Sequence, residues 1–531
     1  MKRLLAAIAA LMSLMLASCV SLGGDTSGSG SGAGSGSGSG APADLTIVAA
    51  TELKDLQGLV DQAAQDLGFS IDMQFPGGTL DNSQTLKRGD FDGEVDATWF
   101  ATNRYVNLIG ATDKLDGETK IATSPVAFGV WEDSAKRLGW DTKQPTWAEF
   151  AQAAEAGEFS FGMTNPQASN SGFSALVAVA TALADTGDAI APADLERVGP
   201  RLKQLFQAQS MVSGSSGWLA EAFADDPGRA DAIVNYESTL HQMRQQGQPI
   251  EVVVPADGVI SADYPLSALA QPANADARDR VEKLANWLLE HQPDIADTFR
   301  RPVTQVDNLP AEIADQQVIE LPFPANESVV DELLYAYDNS YRQPGTTTFV
   351  LDTSGSMEGQ RIASLKDIMH SLIDGSASTL TGDVSLRDRE NVTLQSFDSR
   401  PNDPVTARFS HEDPAAAAEL TKYVDGLSAS GSTAMYQTLL EALRGTDPAG
   451  GIPSIVLLSD GQDTVGPRFS KFKEEYEQLP AAQRSVPVFV ILYGDASESE
   501  MRELAELTGG EVFDALGGDL AAAFKEIRGF Q

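Results

Sequence analysis

The chain has 531 residues, with 76 acidic against 37 basic side chains and a formal charge of −39 at pH 7. That length exceeds one ordinary core and implies two or three folded units. The charge argues against nucleic acid as a partner, since phosphate binding needs an excess of Lys and Arg, and against adsorption to an anionic membrane surface. One cysteine permits no intrachain disulfide. Four scattered histidines offer neither metal-ligand spacing nor a Ser/His/Asp or Cys/His constellation.

In chain order, Lys2-Arg3 precedes an apolar run from Leu4 to Leu16 that is too short for a comfortable transmembrane helix. It ends at Leu16-Ala17-Ser18-Cys19, which resembles the lipobox of bacterial lipoproteins. The resemblance implies a signal peptide over 1–18, cleavage before Cys19 and diacylglyceryl attachment to its sulfur. A lipid anchor at the cell envelope, with the body extracytoplasmic, is then expected. Residues 19–43 read as a linker, because residues 23–40 are almost wholly Gly and Ser and cannot bury a core. As a flexible coil this stretch would reach roughly 25 Å.

From Asp44 the pattern becomes α/β. Asp44–Ala50, Ser70–Phe75 and Val95–Phe100 read as strands, and Thr51 as the capping hydroxyl of a helix. In a parallel sheet ligands sit beyond the carboxyl ends of the strands, where Thr51, Glu52, Trp99 and Asn103 would lie. Ser124–Trp131 and Phe159–Met163 are further strands. The second leads into Thr164-Asn165-Pro166-Gln167-Ala168-Ser169-Asn170-Ser171-Gly172, whose hydroxyls and helix-start N–H groups suit an anion or a hydroxylated ligand.

Tyr236-Glu237-Ser238 and Asp263-Tyr264-Pro265 complete a set whose order resembles the type II periplasmic solute-binding fold. The resemblance implies a domain over 44–325, with lobes 44–125 plus 265–325 and 126–260. A hinge near Ser124 and Ala262 and a ligand cleft lined by Thr51, Glu52, Trp99, Thr164, Asn165, Ser169, Ser171, Tyr236 and Glu237 follow from it. Two ligand chemistries stay open. Thr164, Asn165, Ser169 and Ser171 suit an oxyanion, whereas Glu52 and Glu237 repel one and favour a cationic group.

Residues 326–345 form a connector, in which Ser328-Val-Val-Asp331 reads as a capping box and Gln343-Pro344-Gly345 as a break. Residues 346–531 are expected to be a doubly wound, Rossmann-like α/β domain. Its first strand ends at Asp352-Thr353-Ser354-Gly355-Ser356, a later loop carries Gly431-Ser432-Thr433-Ala434, and the apolar run 452–458 ends at Ser459-Asp460-Gly461. Carboxylates and hydroxyls at strand ends suit a hard cation such as Mg²⁺. The three loops together resemble the metal-ion-dependent adhesion site of the von Willebrand factor A family. That resemblance implies metal ligation by Asp352, Ser354, Ser356, Thr433 and Asp460, with a position left for a carboxylate of a protein partner.

The expected function is therefore non-enzymatic: an anchored binding protein with a solute cleft and a Mg²⁺-dependent partner site. The alternative is the substrate receptor of an ABC-type membrane transporter. A hydrolytic reading would need Asp463 or Glu358 as general base and has no histidine partner or second metal set.

Overall fold

The computed structural model describes residues 43–314, 316–379, 382–447, 450–460, 463–492, 498–514, 523–524 and 527–528. The expected signal peptide, Cys19 and the Gly/Ser tether lie outside them. The described residues belong to one compact unit, Ala43–Gln531.

The strands of the amino-terminal part are β1 (Leu45–Ala49), β2 (Ile71–Gln74), β3 (Ala97–Trp99), β4 (Leu115–Lys120), β5 (Ala122–Trp131), β6 (Phe161–Thr164), β7 (Gln209–Ser213), β8 (Ala232–Tyr236), β9 (Ile250–Val253), β10 (Ser261–Ala262), β11 (Pro265–Leu269) and β12 (Arg301–Pro302). They build two sheets. The first runs β2-β1-β3-β11-β4, and the second β10-β5-β8-β6-β7, with β9 and β12 also on β5. β1 pairs in parallel with β2 and β3, and β6 with β7 and β8. The chain crosses between the sheets at β5 and returns at β10, and these two lie antiparallel with Ser261 opposite Pro125 and Ala262 opposite Ser124.

One apolar cluster runs through both sheets and includes the helix Asn170–Ala184, buried nearly all round. Burial on every side explains why that helix is apolar rather than striped. Each large side chain so buried contributes about 1.5–3 kcal/mol relative to exposure. Thr51 does not cap a helix. Ala50 is the extended residue before a 3₁₀ turn, Thr51–Leu56, and no side chain caps it.

The connector helix, Glu327–Ala336, places Val329, Val330 and Leu333 in that same cluster, and a wider π turn over Tyr337–Tyr341 adds Tyr337 and Tyr341. The expected capping box does not form. The extended backbone ends at Asn326 (φ −126°, ψ 129°), so Ser328 is already inside the first turn.

The carboxy-terminal part has β13 (Gly345–Asp352), a short hairpin of β14 (Ser378–Thr379) with β15 (Gly382–Asp383), β16 (Asn391–Phe397), β17 (Val405–Arg408), β18 (Ile452–Ser459), β19 (Val488–Leu492) and β20 (Val512–Asp514). Its sheet runs β17-β16-β13-β18-β19-β20, parallel except for β17. Side chains alternate between two apolar layers: Phe349 and Leu351 enter one, Val350 the other. A strand buried on both faces reads as a continuous apolar run, as β19 does throughout and β13 and β18 do at Phe349–Leu351 and Ile455–Leu458.

The amino end of this sheet meets the connector and the second lobe. Gln207 Nε2 donates to the carbonyls of Tyr341 (2.7 Å) and Arg342 (3.1 Å), and Arg389 Nε to Asn339 O (2.7 Å). Arg528 and Glu390 form a buried pair at 2.8 Å, with Thr347 Oγ1 donating to the same carboxylate (2.7 Å). The carboxyl ends of β13, β16 and β18 lie at the opposite edge, about 25 Å away along the strands.

Candidate functional site

Two groups of polar residues collect at strand ends. The first is on the carboxy-terminal sheet. β13 and β18 are parallel neighbours with Leu351 opposite Leu458, so the register alone brings Asp352 beside Ser459 and Asp460. Asp352 Oδ2 accepts from Ser459 Oγ (2.5 Å) and Oδ1 from the Ser354 N–H (2.8 Å). Ser354 Oγ lies 3.1 Å from Ser356 Oγ, which donates to Asp460 Oδ1 (2.8 Å). The Thr433 loop is held against them by Gly355 N–H to Gly431 O (3.1 Å) and Ser430 N–H to Thr353 O (2.8 Å). Gly431 takes φ +76°, and a Cβ there would meet Ser399 Oγ at 2.7 Å, so this close approach requires glycine.

Four of the five expected residues are thus joined in one hydrogen-bonded chain, through the Ser354 N–H at Asp352 and through hydroxyls from there to Asp460, and the loop of the fifth, Thr433, packs on it. Asp352, Ser354, Thr433 and Asp460 are buried, while Ser356 faces solvent. Burial raises the Asp352 carboxyl above its ordinary range, and the neighbouring Asp460 charge adds to that, against the hydrogen bonds from Ser459 and Ser354. Two close carboxylates with three hydroxyls are a hard-oxygen donor set, fitted to a Mg²⁺-like ion and not to zinc. Among the described residues no three His, Cys, Asp or Glu side chains gather as metal ligands. A site with three hydroxyls among five donors would not form such a group.

Sequence reading missed Arg361, whose guanidinium binds Asp460 Oδ2 and reaches Ser356 O (3.3 Å) from the first turn of the helix Gln360–Asp374. Its place in the first turn of the helix after the loop was the available signal. Asp463 is spent on structure. Its Oδ1 accepts from Tyr436 N–H (3.2 Å) at the start of the helix Met435–Gly445, and burial pushes its carboxyl up to about 6.

The second group lies between the two lobes. Glu52 Oε1 is shut off from solvent, and burial raises this carboxyl above its ordinary value, opposed by hydrogen bonds from its own backbone N–H and from Tyr236. Tyr236 is buried, and its Oη accepts from Asn170 Nδ2 (3.0 Å). Thr51 is half-buried beside Glu52.

The remaining expected cleft residues have structural partners. Trp99 Nε1 donates to Tyr264 O (3.1 Å). Thr164 Oγ1 accepts from Gly172 N–H (2.8 Å) and lies 2.9 Å from Ser171 Oγ, which is 2.8 Å from Ser216 Oγ and 3.4 Å from Ser169 Oγ. Asn165 Nδ2 donates to Arg528 O (3.0 Å), so this residue ties the second lobe to the carboxy-terminal domain. Glu237 is fully buried in a two-pronged pair with Arg301 (2.7 and 2.8 Å).

Asp55, Tyr264, Arg300 and Arg301 were not singled out as cleft residues from the sequence. Arg300 and Arg301 arrive from some 250 and 65 positions beyond their carboxylate partners, Asp55 and Glu237, a distance no local pattern carries.

The lobes are shut on each other. Gly78 lies so close to Ala168 that a Cβ would sit 2.2 Å from its carbonyl oxygen. Gln242 Nε2 reaches Asp55 Oδ2 (2.7 Å), and Tyr105 meets Phe173 edge-on at 5.6 Å. Among the described residues no helix is long and apolar enough to cross a membrane.

Comparison with known proteins gives two family matches: bacterial extracellular solute-binding protein over residues 45–300, and von Willebrand factor type A domain over residues 347–513. The chain is 28% identical over 143 residues to human inter-alpha-trypsin inhibitor heavy chain H4, covering 25% of this chain and only 14% of that protein. Among solved structures, the periplasmic binding protein AfuA from Actinobacillus pleuropneumoniae covers 55% of this chain and 97% of its own, at 12% identity and a TM-score of 0.45. A von Willebrand factor type A protein from Catenulispora acidiphila covers 35% of this chain and 42% of its own, at 20% identity and a TM-score of 0.29. The chain therefore joins a solute-binding domain of the bacterial extracellular family to a carboxy-terminal von Willebrand factor type A domain.

Proposed function

We propose that this protein is an extracytoplasmic binding protein, tethered through lipidated Cys19, that holds a solute in its two-lobed cleft and a protein partner at a Mg²⁺ ion. Asp352, Ser354, Ser356, Thr433 and Asp460 would hold the ion, which would supply a Lewis-acidic position for a carboxylate of the partner. The chain's own residues supply the rest: Ser459 and the Ser354 N–H orient Asp352, and Ser356 orients Asp460. Both matched families are binding domains, which supports a non-enzymatic role. The observation that carries the reading is the hydrogen-bonded chain Asp352–Ser354–Ser356–Asp460 with the Thr433 loop backbone-bonded to it.

The carboxy-terminal sheet meets the connector and the second lobe at its amino end, so the Asp352 edge lies away from that contact. The test is titration of Mg²⁺ or Mn²⁺ into the full chain, with pull-down from membranes in Mg²⁺ against EDTA. Asp352→Ala and Thr433→Ala should each weaken metal binding on the order of 100-fold and abolish divalent-dependent capture, with an unchanged far-UV spectrum. Retained capture in either variant would sink the adhesion role. The transporter-receptor reading is favoured by the closed cleft. It predicts solute binding that EDTA does not affect.

A further inference from the structure

The helices Asn170–Ala184, Ser216–Asp225 and Glu237–Gln245 follow β6, β7 and β8, and their amino ends are where an oxyanion would be expected to bind. At each of these amino ends at least one early N–H donor is already used. Gly172 N–H donates to Thr164 Oγ1 (2.8 Å), Phe173 N–H to Ser169 O (3.1 Å), Trp218 N–H to Ser215 Oγ (3.3 Å) and Ser238 N–H to Ser124 Oγ (3.1 Å). Gly78 also closes against the Ala168 carbonyl and leaves no room at that loop.

What the cleft has unspent is mainly acceptors, beside one donor, Arg300 Nε. Glu52 Oε1, Asn170 Oδ1 and Tyr264 Oη are buried without a hydrogen-bond partner, and Asn170 and Tyr264 are 3% and 0% exposed. They belong to one cluster. Tyr236 bonds Glu52 and accepts from Asn170, and its ring lies 6.3 Å from that of Tyr264. Tyr264 is held at φ +40°, a strained conformation for a bulky residue.

The charge balance points the same way. Asp55 takes both prongs of Arg300 (2.7 and 2.9 Å), and Glu237 takes Arg301. Both cations are thus paired with carboxylates. Arg300 Nη2 also donates to the Glu52 carbonyl (2.8 Å) and its charge acts on the Glu52 carboxyl, but among the described residues no cationic side chain hydrogen-bonds that carboxylate. A buried acceptor without a donor is costly, and a ligand that supplies N–H groups and positive charge removes that cost.

We infer that the cleft takes a small ligand bearing a cationic nitrogen (an amine, amidine or guanidine), with Glu52 as its counter-charge and Asn170 Oδ1 and Tyr264 Oη as further acceptors. This rests on the solute-binding reading above and names its ligand class. It resolves the two chemistries left open by the sequence against the oxyanion.

Calorimetric titration of the full chain would use putrescine, spermidine and agmatine against sulfate, phosphate, succinate and glucose. Binding of at least one amine is expected. Glu52→Gln should weaken it on the order of tenfold or more, and Tyr264→Phe about fivefold. Amine binding untouched by both variants overturns the inference. If an anion or glucose binds and no amine does, the solute-binding reading stands and this ligand class falls. If no compound of either charge binds, the solute-binding reading falls with it.

Discussion

The loops after β13 and β6 are written in nearly the same residues: Asp352-Thr-Ser-Gly-Ser356 in one, Thr164-Asn-Pro-Gln-Ala-Ser-Asn-Ser-Gly172 in the other. Both follow a buried strand of a parallel sheet and both enter a helix. Their oxygens are used differently. In the first, hydroxyls bond to each other and to carboxylates, and the end of the chain at Ser356 faces solvent. In the second, hydroxyls are buried and spent on a backbone N–H and on neighbouring serines. The difference teaches that small polar residues at a strand end mark a ligand site only where their lone pairs are left over from folding.

Substitution in the two loops should therefore have opposite readouts. Gly172→Ala puts a Cβ 2.1 Å from Thr164 O. It is expected to cost about 3 kcal/mol of stability. All six tryptophans lie before the connector, so their fluorescence reports the amino-terminal domain alone during denaturation. Ser356→Ala should leave stability within about 0.5 kcal/mol and lower Mg²⁺ affinity about tenfold. If Ser356→Ala unfolds the carboxy-terminal domain instead, the contrast between a structural and a ligand loop is lost.

Acid should separate the two domains next. His241 is buried, and its pKa is lowered from 6.5 to about 4, chiefly by burial, then by Arg244 and Arg301 against the opposing Glu312. The unfolded state takes up the proton first, so stability is full above about pH 6.5 and falls as pH drops toward 4. The loss is about 3 kcal/mol. Glu390 behaves otherwise. Burial would raise its pKa, but Arg528 wins and holds it below the ordinary 4.5. Its stabilising share is kept above that value and is lost only as pH falls further, through the folded pKa. Tryptophan fluorescence should shift first on acidification, with far-UV loss from the second domain following at lower pH. His241→Phe should bring the two transitions closer together.

The smallest expected effect concerns Arg361. Its partner Asp460 is buried, but Arg361 itself is 40% exposed, so the pair is screened. Arg361→Ala should free one Asp460 oxygen and tighten Mg²⁺ binding up to about fivefold, read by titration. Weaker binding in that variant would mean that Arg361 positions Asp460 rather than competing for it.

The sequence by itself carried the two-part α/β organisation, because alternating apolar strands and amphipathic helices are local patterns. It also carried the carboxy-terminal oxygen set, because its residues close their loops directly at strand ends and parallel register then aligns them. Cleft chemistry was not legible in the same way. Thr164 and Ser171 look equally suited to a ligand or a cap until their partners are known. Asp55 meets Arg300 across 245 positions, and Glu237 meets Arg301 across 64. Asn165 likewise finds Arg528 across 363 positions. Only closure of the lobes and docking of the second domain decide which polar atoms are paired. Pairing is a property of three-dimensional neighbours, and it is pairing that left Glu52, Asn170 and Tyr264 with oxygens to spare.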